Sequence, residues 1–220
     1  MAAKKPPLTI ETLLAEAALF GAQESTFDEP SLYGVTDGKA VGTYLEHKFV
    51  AHLMDRYDFA GGNSASGIDI PSVNVDIKVT SVKQPQSSCP FRSARQKVYG
   101  LGYHVIVFVY EKTDDDLNRT GRLNMVHTIF VRQNQTGDYQ TTRGIREIVE
   151  REGNEDDLIA FMQDKNLPLD SIGAQSLAKE IIANTPLQGY LTISNALQWR
   201  LQYGRVIQQA GIVPGVERIS

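Results

Sequence analysis

Ser64-Ala65-Ser66-Gly67-Ile68-Asp69-Ile70-Pro71-Ser72-Val73-Asn74-Val75-Asp76-Ile77-Lys78-Val79-Thr80-Ser81-Val82 is the stretch from which the rest of the chain is read. Val73, Val75, Ile77 and Val79 alternate with Asn74, Asp76, Lys78 and Thr80, the period of two of a half-buried strand. Asp76 and Lys78 therefore share one strand face. Upstream, Ser66–Ile70 predicts a partner strand, and Pro71-Ser72 supplies the turn of a tight hairpin. On such a hairpin Asp69 comes close to Asp76.

Two carboxylates directed at one point repel each other unless a cation lies between them or one keeps its proton. A hard divalent ion is the natural occupant: Mg²⁺, with Mn²⁺ as the alternative, takes one or two carboxylates and leaves room for water and substrate phosphate. The Lys78 ammonium beside it would orient or deprotonate an attacking water and offset charge on a phosphorane-like transition state. A lone D-x-K tripeptide is equally a solvated surface hairpin. The D-x(6)-D-x-K spacing on a predicted hairpin favours the site.

With 220 residues and 41% hydrophobic content, the chain can form one large domain, or one domain with an appendage, around a real core. Apolar runs such as Val105–Tyr110 are too short to cross a bilayer, and the N-terminus lacks a signal-peptide apolar region. These features predict a cytoplasmic protein with no membrane partner. A single cysteine, Cys89, excludes an internal disulfide and a cysteine-based zinc cluster, and the four histidines have no metal-binding spacing. Any metal is then held by oxygen.

A net charge of −4 does not announce a nucleic-acid binder. Its distribution is more informative. From Ile77 to Tyr110 there is no acidic residue, yet Lys78, Lys83, Arg92, Arg95 and Lys97 all fall there, beginning at the proposed metal site. The acids gather in Asp114-Asp115-Asp116 and between Glu147 and Asp157, as solvated faces.

Thr9 and Gly21 bracket a predicted helix over Ile10–Phe20, and Glu24–Lys39 reads as a polar loop. A second helix, Gly38–Tyr57, has an apolar row at Leu45, Phe49 and Leu53 with Glu46 at its margin. Glu46 is either an exposed partner for a lysine or an acid reaching a neighbouring site. Thr80–Pro90 reads as a loop and Phe91–Leu101 as a helix bearing Arg92, Arg95, Gln96 and Lys97. Tyr103–Tyr110 is a strand buried on both faces, joined to the hairpin by a right-handed crossover. After a polar turn, Leu123–Arg132 returns antiparallel beside it. Beyond Thr141 the pattern is helical: helices around Ile145–Val149, Leu158–Met162 (capped by Asn154) and Leu177–Ile182, then Ser194–Gln209 with Trp199, Arg200 and Arg205. The ten residues before that last helix are too many for a helix-turn-helix.

A helix with Glu46, a hairpin with Asp69 and Asp76-Ile77-Lys78, a basic helix, a buried strand and a further strand together resemble the PD-(D/E)XK nuclease superfamily over about residues 38–132. The proline of the family motif is absent, since Ile68 precedes Asp69, and the six-residue gap to Asp76 makes a short hairpin. The resemblance implies an α/β fold: a restriction-endonuclease-like mixed β-sheet flanked by helices. Residues 1–37 would add an N-terminal helix and loop, 38–140 would form the nuclease core, and 141–220 a helical extension for capping, recognition or dimerisation. It also implies that Glu46, Asp69 and Asp76 are metal ligands or acids behind the ligands, and that Lys78 orients water.

The activity implied is Mg²⁺-dependent hydrolysis of DNA. The leading reading is a type II restriction endonuclease, working as a homodimer on a near-palindromic duplex site and leaving 5′-phosphate ends. A junction or repair nuclease, or a catalytically silent DNA-binding module on the same fold, is the alternative. Candidate DNA contacts are Lys83, Arg92, Arg95, Gln96 and Lys97, with phosphate contact the commoner role and arginine and glutamine suited to base edges. Thr141-Thr142-Arg143, with Arg146, is a second candidate cluster; otherwise it is an ordinary helix start.

Overall fold

The computed structural model describes residues 5–62, 67–88, 92–194 and 200–220. Thr9 caps helix α1 (Ile10–Glu24) in a capping box with Thr12. The helix runs on past Gly21. A Cβ there would stand 3.3 Å from Thr128 Oγ1, so the glycine serves a close approach to the main sheet instead of a helix end. The polar segment that follows contains the two-residue strand β1 (Asp28–Glu29) and a 3₁₀ turn at Pro30–Leu32. Asp37 caps helix α2 (Gly38–Met54), whose buried stripe is Val41, Leu45, Phe49 and Leu53.

The tight hairpin expected at 66–80 is reduced to a single antiparallel bridge between Ile70 and Val75. Pro71–Val73 form a 3₁₀ turn closed by Asn74 at φ 54°, whose amide donates to Gly102 O and Gln133 Oε1. Proline suits the first turn position because it has no N–H to satisfy, and asparagine tolerates the left-handed region. Gly67–Asp69 is therefore a loop and not a strand; Ser64, Ala65 and Ser66 lie outside the described residues.

Strand β2 (Val75–Ser81) pairs in parallel with β4 (His104–Asp115), which pairs antiparallel with β5 (Thr120–Val131). Both long strands extend into the segment expected to be a polar turn. Asp115 closes the connection instead, its carboxylate accepting from Leu117 and Asn118 N–H. The sheet order is β1-β5-β4-β2, and β8 (Val216–Arg218) also pairs with β5. On one face Phe20 of α1 and Phe49 of α2 pack against Phe108, with ring centroids 5.9 and 5.0 Å away.

The other face corrects the expected loop and C-terminal helix. Strands β3 (Gln86–Ser88), β6 (Thr192–Ile193) and β7 (Arg200–Gln202) form a second antiparallel sheet ordered β3-β7-β6. Leu201 and Tyr203 are buried while Arg200 and Gln202 are exposed, the alternation of a strand, and only Gly204–Gln209 (α7) is helical. Trp199 lies outside the described residues. Ile193, Leu201, Tyr203 and Val206 pack on Val105, Val107 and Val109 of β4.

The basic helix shrinks to α3 (Arg95–Tyr99), because Gly100 and Gly102 take φ of 89° and 88° and turn the chain out of the helix. Phe91 is outside the described residues. Helix α3 joins α4 (Tyr139–Glu150), α5 (Glu155–Asp164) and α6 (Ser171–Ala183) in a third apolar cluster around Val98, Ile145, Leu158 and Ala178. Among the described residues no helix is long and apolar enough to cross a membrane.

Candidate active site

The alternation of β2 sends Val75 and Ile77 into the α1–α2 core and turns Asp76, Lys78 and Thr80 the other way. Asp76 is 3% exposed, and Lys78 Nζ lies 2.5 Å from its Oδ2. Asp69 reaches the same place from its loop and is tied down twice. Its Oδ2 accepts from Ile77 N–H at 2.6 Å, and its carbonyl accepts from Gly62 N–H at 2.9 Å. Glu46 projects from α2 beside the buried Leu45–Phe49–Leu53 row and lies near enough to Asp69 for that carboxylate's charge to act on it. Glu46, Asp69, Asp76 and Lys78 line one cleft of about 640 Å³, whose far wall is Val50, Ala51 and Met54 of α2 with Gly61 and Gly62.

The charges in this cleft are poorly solvated. Burial, opposed by Lys78 and assisted by Asp69, pushes the Asp76 carboxyl from 3.8 up to about 7. Burial and then the neighbouring Asp69 raise Glu46 as well. Without a cation the cluster holds on to protons, as crowded carboxyls do.

The donor set suits a hard divalent cation. Asp76 Oδ2 is buried, with the Lys78 ammonium 2.5 Å away as its charged partner. Among the described residues no three His, Cys, Asp or Glu side chains close into a metal cage. Mg²⁺ does not need one, since it takes one or two carboxylates and keeps water in its remaining positions.

Of the candidate DNA contacts, Lys83 is exposed in the turn after β2. Arg92 is also exposed, with Nη2 3.1 Å from where a Cβ on Gly67 would stand, so it overhangs the loop that carries Asp69. Arg95 is exposed but engaged by Glu180 at 2.5 Å. Gln96 is buried, its Oε1 accepting from Arg92 N–H at 3.2 Å, and Lys97 is 2% exposed with its ammonium pKa lowered by burial. Arg143 pairs with Glu147 at 2.7 Å, and Arg146 donates to Pro186 O. Thr141 and Thr142 point inward to Asp138.

Two contributors escaped the sequence reading. His47 lines the cleft beside Glu46. Gly62 holds the Asp69 loop so closely that a Cβ there would lie 2.3 Å from Ile68 O and 2.7 Å from Asp69 O. The only prior signal was the Gly61-Gly62 pair.

A mixed sheet flanked by helices, presenting an aspartate and a lysine from a parallel edge strand, is a restriction-endonuclease-like fold. The family described as type II restriction enzyme NspV matches residues 7–218 of the chain. A curated enzyme of that name from Nostoc sp. (strain ATCC 29411 / PCC 7524) is 63% identical over 209 residues, 95% of this chain and 95% of the relative. The chain belongs to that family of type II restriction enzymes. No solved structure matches it.

Proposed function

We propose that this type II restriction endonuclease hydrolyses duplex DNA at a specific site through the Asp69–Asp76–Lys78 cluster, with Mg²⁺ or Mn²⁺ as cofactor. The observation that carries this reading is the buried Asp76 carboxylate, paired with Lys78 at 2.5 Å and crowded by Asp69 in the same cleft. Asp69 and Asp76 would hold the ion, and Glu46, which lines the same cleft beside Asp69, would act as a further ligand or as an acid behind the ligands. A bound divalent ion supplies positive charge to the scissile phosphate and acidifies water.

The rest falls to the protein's own groups. Lys78 Nζ, anchored on Asp76, orients the attacking water and offsets charge as it develops on the phosphate oxygens. Water oxygen bonds to phosphorus while the bond to the 3′ oxygen breaks, leaving 5′-phosphate and 3′-hydroxyl ends. Asp69 keeps its position because Gly62 and Ile77 N–H groups grip both its carbonyl and its carboxylate. Lys83 and Arg92, exposed where Gln96 and Lys97 are buried, are the proposed phosphate contacts among the basic block, and Arg143 the one from α4.

The protein acts in the cytoplasm as a homodimer whose two-fold axis matches that of a near-palindromic site. Plasmid, single-stranded and four-way-junction DNA incubated with Mg²⁺ test the reading. Discrete plasmid fragments with ligatable 5′-phosphate ends are expected; junction-limited nicking, or binding without cleavage, would replace it with a structure-selective nuclease or a silent module.

A further inference from the structure

The second sheet has two faces of opposite character. Ser87, Leu201 and Ile193 are in register and turn inward, with Ser87 Oγ 2.6 Å from the hydroxyl of the buried Tyr203. The adjacent rows must then point outward: Gln86 opposite Gln202, and Ser88 opposite Arg200. Ser88, Arg200 and Gln202 are exposed, and among the described residues no hydrogen bond or ion pair occupies the Arg200 guanidinium.

Among the described residues none of the three strands carries a carboxylate, and the reason lies in the sequence. One acid-free stretch, Ile77–Tyr110, supplies β3. A second, Ile181–Val216, supplies β6 and β7. In a chain with 26 acidic residues among 220, the fold brings its two longest acid-free segments together in one small sheet.

This sheet is also built onto the strand of the active site. Asp76, Lys78 and Thr80 share a face of β2, and Thr80 Oγ1 accepts from Gln86 N–H at 3.0 Å and donates to Gln86 O at 3.2 Å. Thr80 lies four residues past Asp76, about 13 Å along the strand, or about four steps of duplex at roughly 3.4 Å each.

From these observations, and resting on the reading of the protein as a duplex-cutting nuclease, we infer that the β3–β7 ribbon is the sequence-reading element. It enters the major groove and presents Arg200, Gln202, Gln86 and Ser88 to base edges. A two-stranded ribbon fits that groove; arginine bonds bidentately to guanine and glutamine to adenine. The lack of carboxylates suits the negative potential of DNA.

The test uses a pool of duplexes with a randomised central segment, cut with Mg²⁺ and sequenced at the new ends. Wild-type protein is expected to yield one short site. Arg200→Ala and Gln202→Ala, with melting temperatures near wild type, should each relax one position per half-site and lower discrimination by about 10- to 100-fold. Binding to a scrambled duplex in Ca²⁺ should change less than about threefold, as expected for phosphate-dominated contacts. Arg200→Lys should behave like Arg200→Ala, because lysine keeps the charge and loses the fork.

Full recovery with lysine would reveal a phosphate contact and overturn the inference. So would an unchanged site and rate in both alanine variants, or loss of dimerisation in place of loss of specificity. If wild-type protein cuts no member of the pool, it is the nuclease reading that fails.

Discussion

Replacing Asp76 by asparagine should inactivate the enzyme and, in the absence of divalent metal, make it more stable. Asp76 is 3% exposed and its carboxyl is raised from 3.8 to about 7, first by burial and then by Asp69, against the pull of Lys78. Between those pH values the native protein keeps a proton that the unfolded chain releases, so this group's contribution to stability falls as pH rises and is fully lost above pH 7. At 1.36 kcal/mol per pH unit the loss is on the order of 2–4 kcal/mol, the lower figure allowing for a proton shared with Asp69. Urea unfolding in EDTA should show Asp76→Asn and wild type close together near pH 4. The variant should lead by that margin at pH 8. Added Mg²⁺ should stabilise wild type at pH 8 and do much less for the variant, since only a ligand that binds the native state shifts the balance. A difference independent of pH, or a variant less stable than wild type at pH 8, would refute the account of a charge-strained site awaiting a cation.

Lys78→Ala should lower single-turnover cleavage by about 10²-fold or more while duplex affinity in Ca²⁺ stays within a few-fold; unimpaired cleavage would remove Lys78 from the chemistry. Gly62→Ala, whose Cβ would press on Ile68 O and Asp69 O, should reduce kcat and raise the Mg²⁺ concentration needed for half-maximal rate, with calorimetric Mg²⁺ binding weakened in parallel. Asp138→Ala should be destabilising, because that carboxylate accepts from Thr141 N–H, Thr141 Oγ1 and Ile193 N–H. About 3 kcal/mol is expected from the buried donors left unpaired, read as a fall in Tm. Arg92→Ala should weaken binding to any duplex and reduce the salt dependence of binding by about one ion; an unchanged slope would mean that Arg92 touches no phosphate.

What the sequence disclosed follows from how local each signal is. The period-two run at 73–80 and the apolar run at 103–110 placed β2 and β4, and Thr9 and Asn154 marked helix starts that are indeed capped there. The meeting of Asp69, Asp76 and Lys78 was legible because it needs only one strand and one return of the chain. The form of that return was not, since Pro71 and Asn74 build a 3₁₀ turn that depends on Gly102 and Gln133 far along the chain. Likewise β3, β6 and β7 are only two or three residues each, too short for periodicity, and exist because β7 pairs with the nearby β6 and, across more than a hundred residues of sequence, with β3. Gln96 and Lys97 illustrate the same limit: their polarity suggested a surface, and tertiary packing buried them.

The strand that carries Asp76 and Lys78 is, among the described residues, the last in its sheet, a flank of the kind on which a second chain could template itself. That flank is guarded by the groups assigned to chemistry. Asp69 occupies the Ile77 N–H, Ile70 covers Val75, and a buried charge pair interrupts the apolar alternation between them. The proposed cutting machinery and the protection against aggregation are thus the same few atoms, so variants that neutralise this cluster must be checked for self-association before a lost activity is read as lost chemistry.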